Sequence, residues 1–460
     1  MKKLSPFASL LRLGGILTGG ILLGYLLLVL AYALPVDRIE ANVLLSVSTF
    51  DGTAESAEAR NQHVVKTFDS TWLDNSADSL VLLMAAYRSD YPVWQQALRN
   101  EFYGNMDDNP YNLLRTFAAN GSQGMGTTAY FRYWHGHQVF LKPLLTVFTY
   151  MDLRILNMLA QGALMLWLIL LMDRRGLRRY IPAFALSLVA LTPWIVPLSL
   201  QYTPCMLLML LGSIAVLQWP AVIRERLGGA AFFLLLGMAT CYTDILTYPL
   251  VTFGIPFLFW LLPGDRLGAK YDRPSMPLLA RYGGAWLAGY AGMWAGKLIL
   301  AQWLTGLPVW QVALAQVSLR TIGENLSPLD ALWRNIRVFW RKPYLLLAAC
   351  TGVWLMTQAV RTRGRRKPMR ASTVWVYLAT ALLPLFWYMT IVNHSHIHYF
   401  FTHRSLAVTA FGLLCLFTRY LTPAGTLAPK MPQTDAVSAL QPGQTKPSDV
   451  ADTPPASRQV

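Results

Sequence analysis

Residues 13–36 read LGGILTGGILLGYLLLVLAYALPV, an unbroken apolar run that follows Arg12 and ends before Asp37. A stretch of about 20 apolar residues is what crosses the hydrocarbon core of a bilayer as a helix. Comparable runs recur along most of the 460-residue chain, which is 54% apolar and only 13% charged. Soluble domains carry about 25% charged residues, so a soluble-domain reading fails. Hydrocarbon offers the backbone no hydrogen-bond partner, and each run must satisfy its own amides as a helix. The strands of an outer-membrane barrel alternate apolar and polar residues, and these runs do not. The expectation is an all-α membrane protein.

Working outward, the first run (1–36 with its basic start) is too long for a typical signal-peptide core, and no small-residue cleavage pattern closes it. It reads as a retained first helix with a cytoplasmic N-terminus. The polar stretch 37–137 holds twelve of the 23 acidic residues. Segments of that length translocate regardless of charge, which makes it a large exterior loop. It contains the amphipathic pieces Ser79–Arg88 and Trp94–Phe102 and turn signals at Asn109-Pro110 and Asn120-Gly121. Residues 138–421 form the bundle, with helices two to ten at about 153–172, 181–199, 204–220, 229–245, 248–263, 282–304, 343–360, 373–392 and 405–421. A second exterior loop covers about 305–342. The tail 422–460, rich in Pro, Gln, Thr and Ala, reads as disordered and cytoplasmic. The count is about ten transmembrane helices, a multi-pass cell-membrane protein with both termini inside.

The net charge of +16 follows this topology. Basic residues gather at 173–179, at Arg224 and Arg226, in 264–281, and from Arg361 to Arg370, as the positive-inside rule expects. No basic soluble domain exists to hold nucleic acid. Arg320, Arg334, Arg337, Arg341 and Lys342 stand before helix eight, so parity with its neighbours, not charge, orients that helix. Cys205, Cys241, Cys350 and Cys415 lie in or beside apolar helices without a CxxC, and read as small core residues.

The polar residues gather on one side. All seven histidines (His63, His135, His137, His394, His396, His398 and His403) are exterior in this topology. Asp74 and Asp78 lie in the first exterior loop, Asp244 at the outer turn of helices five and six, and Arg404 at the start of helix ten. Lys297 lies inside helix seven, about 10 Å below its outer end. An ionisable group at that depth is costly and is a functional candidate by default. Each signal has a plainer alternative. Asn75 can cap a helix with Asp78 three positions on. Asp244 can cap helix six, and Lys297 can snorkel outward. His394-x-His396-x-His398 would share one face of a strand and suit a metal, but this stretch joins two helices. Arg334, Arg337 and Arg341 share a helical face and can simply touch lipid phosphates.

One N-terminal helix, a large exterior loop with acidic residues, and then a bundle: over about 1–420 this layout resembles the GT-C superfamily of membrane glycosyltransferases. The local carriers are Asp74 and Asp78, and the segment Arg132-Tyr133-Trp134-His135-Gly136-His137 leading into Leu141-Lys142-Pro143. The segments Thr243–Pro249 and Asn393–His398 also look like those of uncharacterised bacterial multi-pass membrane proteins. The resemblance implies transfer of a sugar from a polyprenyl-phosphate donor to a glycan or lipid acceptor of the cell envelope, among membrane lipids. Many members place their acidic pair close behind the first helix, where Asp37 and Glu40 stand here. Asp74 or Asp78 is preferred because each stands beside Trp72 at the start of an apolar helix, where partial desolvation tunes a base.

That reaction fits the inventory. A carboxylate takes the proton of the attacking hydroxyl, and pre-placed cations meet the charge on the leaving lipid phosphate. Lys142, Lys297, Arg404 and the Arg334/Arg337/Arg341 face are the cations available. Asp244, His135, His396 and His398 complete the binding candidates. Asp74 with His135 or His396 can hold a divalent metal, although nothing in the spacing requires one. Two other readings stay open. A transporter or flippase for a lipid-linked or polar substrate predicts polar residues through both halves of the bundle. A non-catalytic envelope assembly protein would use the exterior loop for docking.

Overall fold

The structure is a computed structural model that describes residues 5–50, 62–264, 272–323, 326–364 and 369–422. The expected disordered tail, the basic residues Arg365, Arg366 and Lys367, and positions 265–271 of the basic segment lie outside the described residues. The Ser5 hydroxyl accepts the Ala8 N–H at 3.1 Å and starts α1 (Pro6–Tyr32). Two of its glycines let neighbours in close: Gly20 meets Met238, and Gly24 meets Tyr242 and Met293. Pro35 turns the chain into α2 (Val36–Ser46), so the first helix stops at Tyr32, short of the expected 36.

The polar stretch after it folds around its own core. It contains α3 (Asn75–Ala86), α4 (Val93–Arg99) and α5 (Pro110–Asn120). Two short antiparallel ribbons join them. β1 (Gln62–His63) pairs with β2 (Trp72–Leu73), and β3 (Glu101–Tyr103) pairs with β4 (Thr127–Ala129). Ile39, Val43, Phe50, Leu82, Phe102, Tyr111 and Leu114 form the core of this unit. It is closed from below by Leu141 and Leu145 of α6 (Gln138–Leu145) and by Tyr150 at the start of α7 (Tyr150–Arg174). The expected helix Trp94–Phe102 is shorter, because Asn100 takes a left-handed conformation (φ 50°) and the chain leaves as β3.

The bundle continues with α8 (Ile181–Leu191), α9 (Thr203–Gln218), α10 (Gly229–Thr243), α11 (Leu250–Gly264) and α12 (Met276–Thr305). The second polar stretch holds α13 (Val309–Thr321) and α14 (Pro328–Arg337). Then come α15 (Lys342–Arg361), α16 (Ala371–Thr390), α17 (Val392–Ile397), α18 (Tyr399–Thr402) and α19 (Leu406–Tyr420). Each segment expected to span holds a helix. The third is broken: Pro193 cannot donate the next helical hydrogen bond, and Thr192 before it adopts φ 51°. Among the described residues, six helical stretches are long and apolar enough to cross a membrane. They are Phe7–Tyr32, Tyr150–Arg174, Arg178–Leu198, Lys342–Arg361, Ala371–Thr390 and Tyr399–Tyr420. α9, α10 and α11 are shorter apolar helices.

Aromatic packing holds the bundle, with Phe184, Phe233, Phe253, Phe257, Phe259, Trp260, Tyr282 and Phe411 in one core. α10 and α12 approach so closely that their glycines meet the opposite backbone. A Cβ at Gly237 would stand 2.0 Å from the Trp286 carbonyl oxygen, and one at Gly289 would stand 2.1 Å from that of Leu234. By contrast, α15 buries none of its residues.

Candidate functional site

Asp74 is the N-cap of α3: its Oδ1 accepts the Ala77 N–H at 3.0 Å. Asn75, expected to be the cap, is the first helical residue and is buried. Asp78, one turn into α3, is fully buried. Its carboxylate accepts hydrogen bonds from the Tyr150 hydroxyl, from Ser199 Oγ at 3.1 Å and from the Gln201 N–H at 3.1 Å. Asp78 therefore ties the outer unit to the α8–α9 turn, and its oxygens are occupied. The two carboxylates, nominated together from sequence, have different surroundings.

Asp74 lines a polar cavity of about 170 Å³. Tyr130, Tyr133 and His135 come from the loop before α6, Gln201 from the turn before α9, Arg320 from the end of α13, and His394 and His398 from the α17 segment. Residues far apart in sequence thus face one space. Asp74 keeps part of its surface open to the cavity but is otherwise enclosed. This desolvation, with the nearby Asp78 charge, pushes its carboxyl up to about 7, against the pull of the Ala77 N–H. Burial acts on the imidazoles in the opposite sense. It holds His135 and His394 well below the usual histidine range and lowers His398 to about 4. The cavity histidines are neutral at pH 7.

Hydrogen bonds fix the tautomers. Arg320 Nη1 donates to His394 Nδ1 at 2.9 Å, and His394 Nε2 donates to the Leu246 carbonyl at 2.8 Å. His135 Nε2 donates to the Tyr130 carbonyl at 3.0 Å, which leaves its Nδ1 as an acceptor. His135 Nδ1 and His398 Nδ1 are buried without a partner among the described residues. Two of the groups involved sit on backbone that side chains seldom adopt. His135 has φ 54° and Leu246 has φ 71°, each costing about 1–3 kcal/mol. Asp244 compensates at Leu246, where its carboxylate accepts the N–H groups of Leu246 (2.9 Å) and Thr247 (3.0 Å) and the Thr247 hydroxyl. Asp244 thus holds a turn and does not line the cavity.

The cations nominated for phosphate binding are placed elsewhere. Lys142 Nζ donates to the Ala85 carbonyl at 2.7 Å, at the C-terminal end of α3. Lys297 Nζ serves the Leu98 carbonyl (2.8 Å), the Ala97 carbonyl (3.3 Å) and Asn100 Oδ1 (2.6 Å), at the end of α4. Arg404 reaches the Leu191 carbonyl at the end of α8 (3.3 Å), the Ser70 carbonyl (3.2 Å) and the Phe400 carbonyl (2.8 Å). Each is a buried cation on the carbonyl end of a helix, where the orphan acceptors and the dipole favour positive charge. Depth in a helix marks Lys297, the outer interface marks Arg404 and the segment Leu141-Lys142-Pro143 marks Lys142, but their partners make all three fasteners. His396 lies off the cavity, 2.5 Å from Arg334. Among the described residues no three His, Cys, Asp or Glu side chains are grouped to hold a metal ion, so Asp74 with His135 or His396 forms no such group.

Sequence reading passed over Arg320, Tyr130 and Gln201 as site residues. For Arg320 a signal existed: it is the one charge in Leu307–Gly323. An apolar groove of about 450 Å³ runs beside the cavity, lined by leucines of α6, α7 and α9 (Leu144, Leu156, Leu207, Leu211). Among the described residues none lines both cavity and groove, but three stretches of chain contribute to each. His135, Gln201 and Ile245 face the cavity, while their near neighbours His137, Leu200 and Thr243 face the groove. Comparison with protein-family models, with curated proteins and with solved structures found no match.

Proposed function

We propose that this chain is a membrane glycosyltransferase that moves a sugar from a polyprenyl-phosphate donor to a cell-envelope glycan or lipid. On this reading the ten segments expected from the sequence span the cell membrane, both termini are cytoplasmic, and the cavity opens on the exterior side. The observation that carries the reading is a small cavity with polar side chains and an apolar groove that are lined from neighbouring positions of the same three chain stretches. An amphiphile fits that arrangement, with its polar head in the cavity and its hydrocarbon chain in the groove.

Asp74 acts as the base. Its carboxyl lies near neutrality, where half is ionised at pH 7 and the transfer of a proton from an acceptor hydroxyl is best matched. Arg320 is the cation in the cavity itself and meets the charge that develops on the departing phosphate. The neutral imidazoles of His135 and His398 line the cavity beside Asp74 and shape the space for the sugar. Asp78 positions α3 and does not react. Lys142, Lys297 and Arg404 hold the scaffold.

The test supplies membranes containing the wild-type chain with radiolabelled polyprenyl-phosphate sugars, and in parallel with the same sugars linked to nucleotides. Transfer from the lipid-linked donors alone supports the reading. Transfer from no donor, with lipid-linked sugar instead crossing the bilayer, would replace it with a flippase.

A further inference from the structure

α13 and α14 each expose an apolar stripe at helical spacing. On α13 the stripe is Trp310, Leu314 and Val317; on α14 and the turn after it, Leu329, Trp333 and Trp340. All six are between 43% and 67% exposed. The opposite faces are used inside the molecule: Ala313, Ala331, Asn335 and Val338 are buried, and both helices pack on α17. Left in water, a patch of three tryptophans, two leucines and a valine is larger than a soluble surface normally tolerates.

Position in the chain says what covers it. The segment follows the last turn of α12, where Trp303 is 79% exposed. It stops where α15, a helix of membrane-spanning length and composition, begins at Lys342. The stripe thus lies along the chain between an exposed tryptophan and an exposed helix of membrane-spanning composition. Tryptophan concentrates at that boundary because its ring is apolar and its N–H is wet. Arg337 is exposed on the same helix, and Arg341, exposed just beyond it, lies 4.0 Å from Asp69; basic side chains of this kind are attracted by headgroup phosphates.

We infer that α13 and α14 lie flat in the lipid–water interface of the leaflet beside the polar cavity, with their Trp/Leu stripes sunk among the acyl chains. α13 reaches the cavity through Arg320, and α14 packs on the same α17 segment off the cavity. Arg320 at the end of α13 holds His394, Arg334 of α14 holds His396, and Asn393 Nδ2 donates to the Leu319 carbonyl at 2.7 Å. Seating in the membrane and shape of the cavity are therefore mechanically joined, whatever reaction the cavity performs.

The test uses the full chain in phosphatidylcholine nanodiscs, with Cys350→Ser removing the one exposed thiol among the described residues. Nitroxide labels are placed singly by Leu314→Cys, Leu329→Cys and Trp333→Cys, with Asn112→Cys in the outer unit as a control. Trp310→Cys and Val317→Cys give the same readout where a label at another site lowers the yield. Collision with oxygen should exceed collision with a nickel chelate at every stripe site, and the order should reverse at residue 112. Preferential collision with nickel at the stripe sites would show that they face water. Protection from both reagents would show a second copy or another protein on this face. Either result overturns the inference.

Discussion

Asp74 combines two tasks that a sequence presents as alternatives: it caps α3 and it faces the polar cavity. Its cap function survives in Asp74→Asn, because asparagine caps as well as aspartate, while its basic function does not. Sugar transfer should fall by about 10²–10⁴ in that variant, with the fold intact by circular dichroism. In the proposed mechanism the ionised carboxylate is the working form. Transfer should therefore rise with pH through about 7 and drop roughly tenfold per unit below it. The neutral cavity histidines add no limb there, and a limb that persists in Asp74→Asn would assign it to another group. Linkage gives a second check. The folded-state pKa of Asp74 is raised from 3.8 to about 7, so the folded state holds its proton more tightly. That contribution to stability is present at low pH and is lost as pH rises between those values. Asp74→Asn should then melt no lower than wild type at pH 8.

At the same scale the buried cations separate from the site. Lys297→Met leaves the Ala97 and Leu98 carbonyls and the Asn100 amide without their donor and should cost about 2 kcal/mol of stability, read as a lower melting temperature. At a temperature where it stays folded, it should still transfer sugar. Arg320→Gln should do the reverse, melting like wild type but losing about 10²-fold in rate. Among Lys142, Lys297 and Arg404 the sequence marks Lys297 as unusual, since charge in an apolar run is visible in one dimension. It could not show that each ends on the carbonyl terminus of another helix, because those partners lie far away along the chain. Lys297, for instance, lies about 200 positions from Leu98.

Between elements, the closest approach is α10 against α12, where Gly237 and Gly289 face opposing backbone. Gly289→Ala should cost about 1–3 kcal/mol by overpacking, detectable as a lowered thermal midpoint without a change in pH profile. Helix positions along the chain were legible because apolar runs in lipid leave no alternative to helix. Their ends were less so. α8 stops at Leu191 because Thr192-Pro193 interrupts it, and that break was read through as continuous apolar sequence. Arg334 and Arg337 lie on α14, but Arg341 does not share their helical face as expected, because α14 ends at Arg337 and Arg341 is the extended N-cap of α15. That the apolar stripe Leu329, Trp333 and Trp340 would stay uncovered depends on packing and could not be read.

For the molecule as a whole, the proposed topology puts the outer unit, the α13–α14 segment and the cavity on one side of the membrane. Alkaline phosphatase fused after Asn100 and after Ser327 should be active in both cases, and inactive after Arg175. A silent fusion after Ser327 would change the number of crossings. The convergence of Asp74, His135 and His398 was legible only as a shared side of the membrane. Their meeting in one cavity, with Arg320 and not Lys297 as its cation, is a property of the tertiary fold. The most direct measurement is single-turnover sugar transfer from a polyprenyl-phosphate donor, run side by side on wild type, Asp74→Asn and Lys297→Met. The proposed mechanism gives transfer by wild type and by Lys297→Met below its melting point, and none by folded Asp74→Asn. Equal transfer by Asp74→Asn and wild type would contradict it.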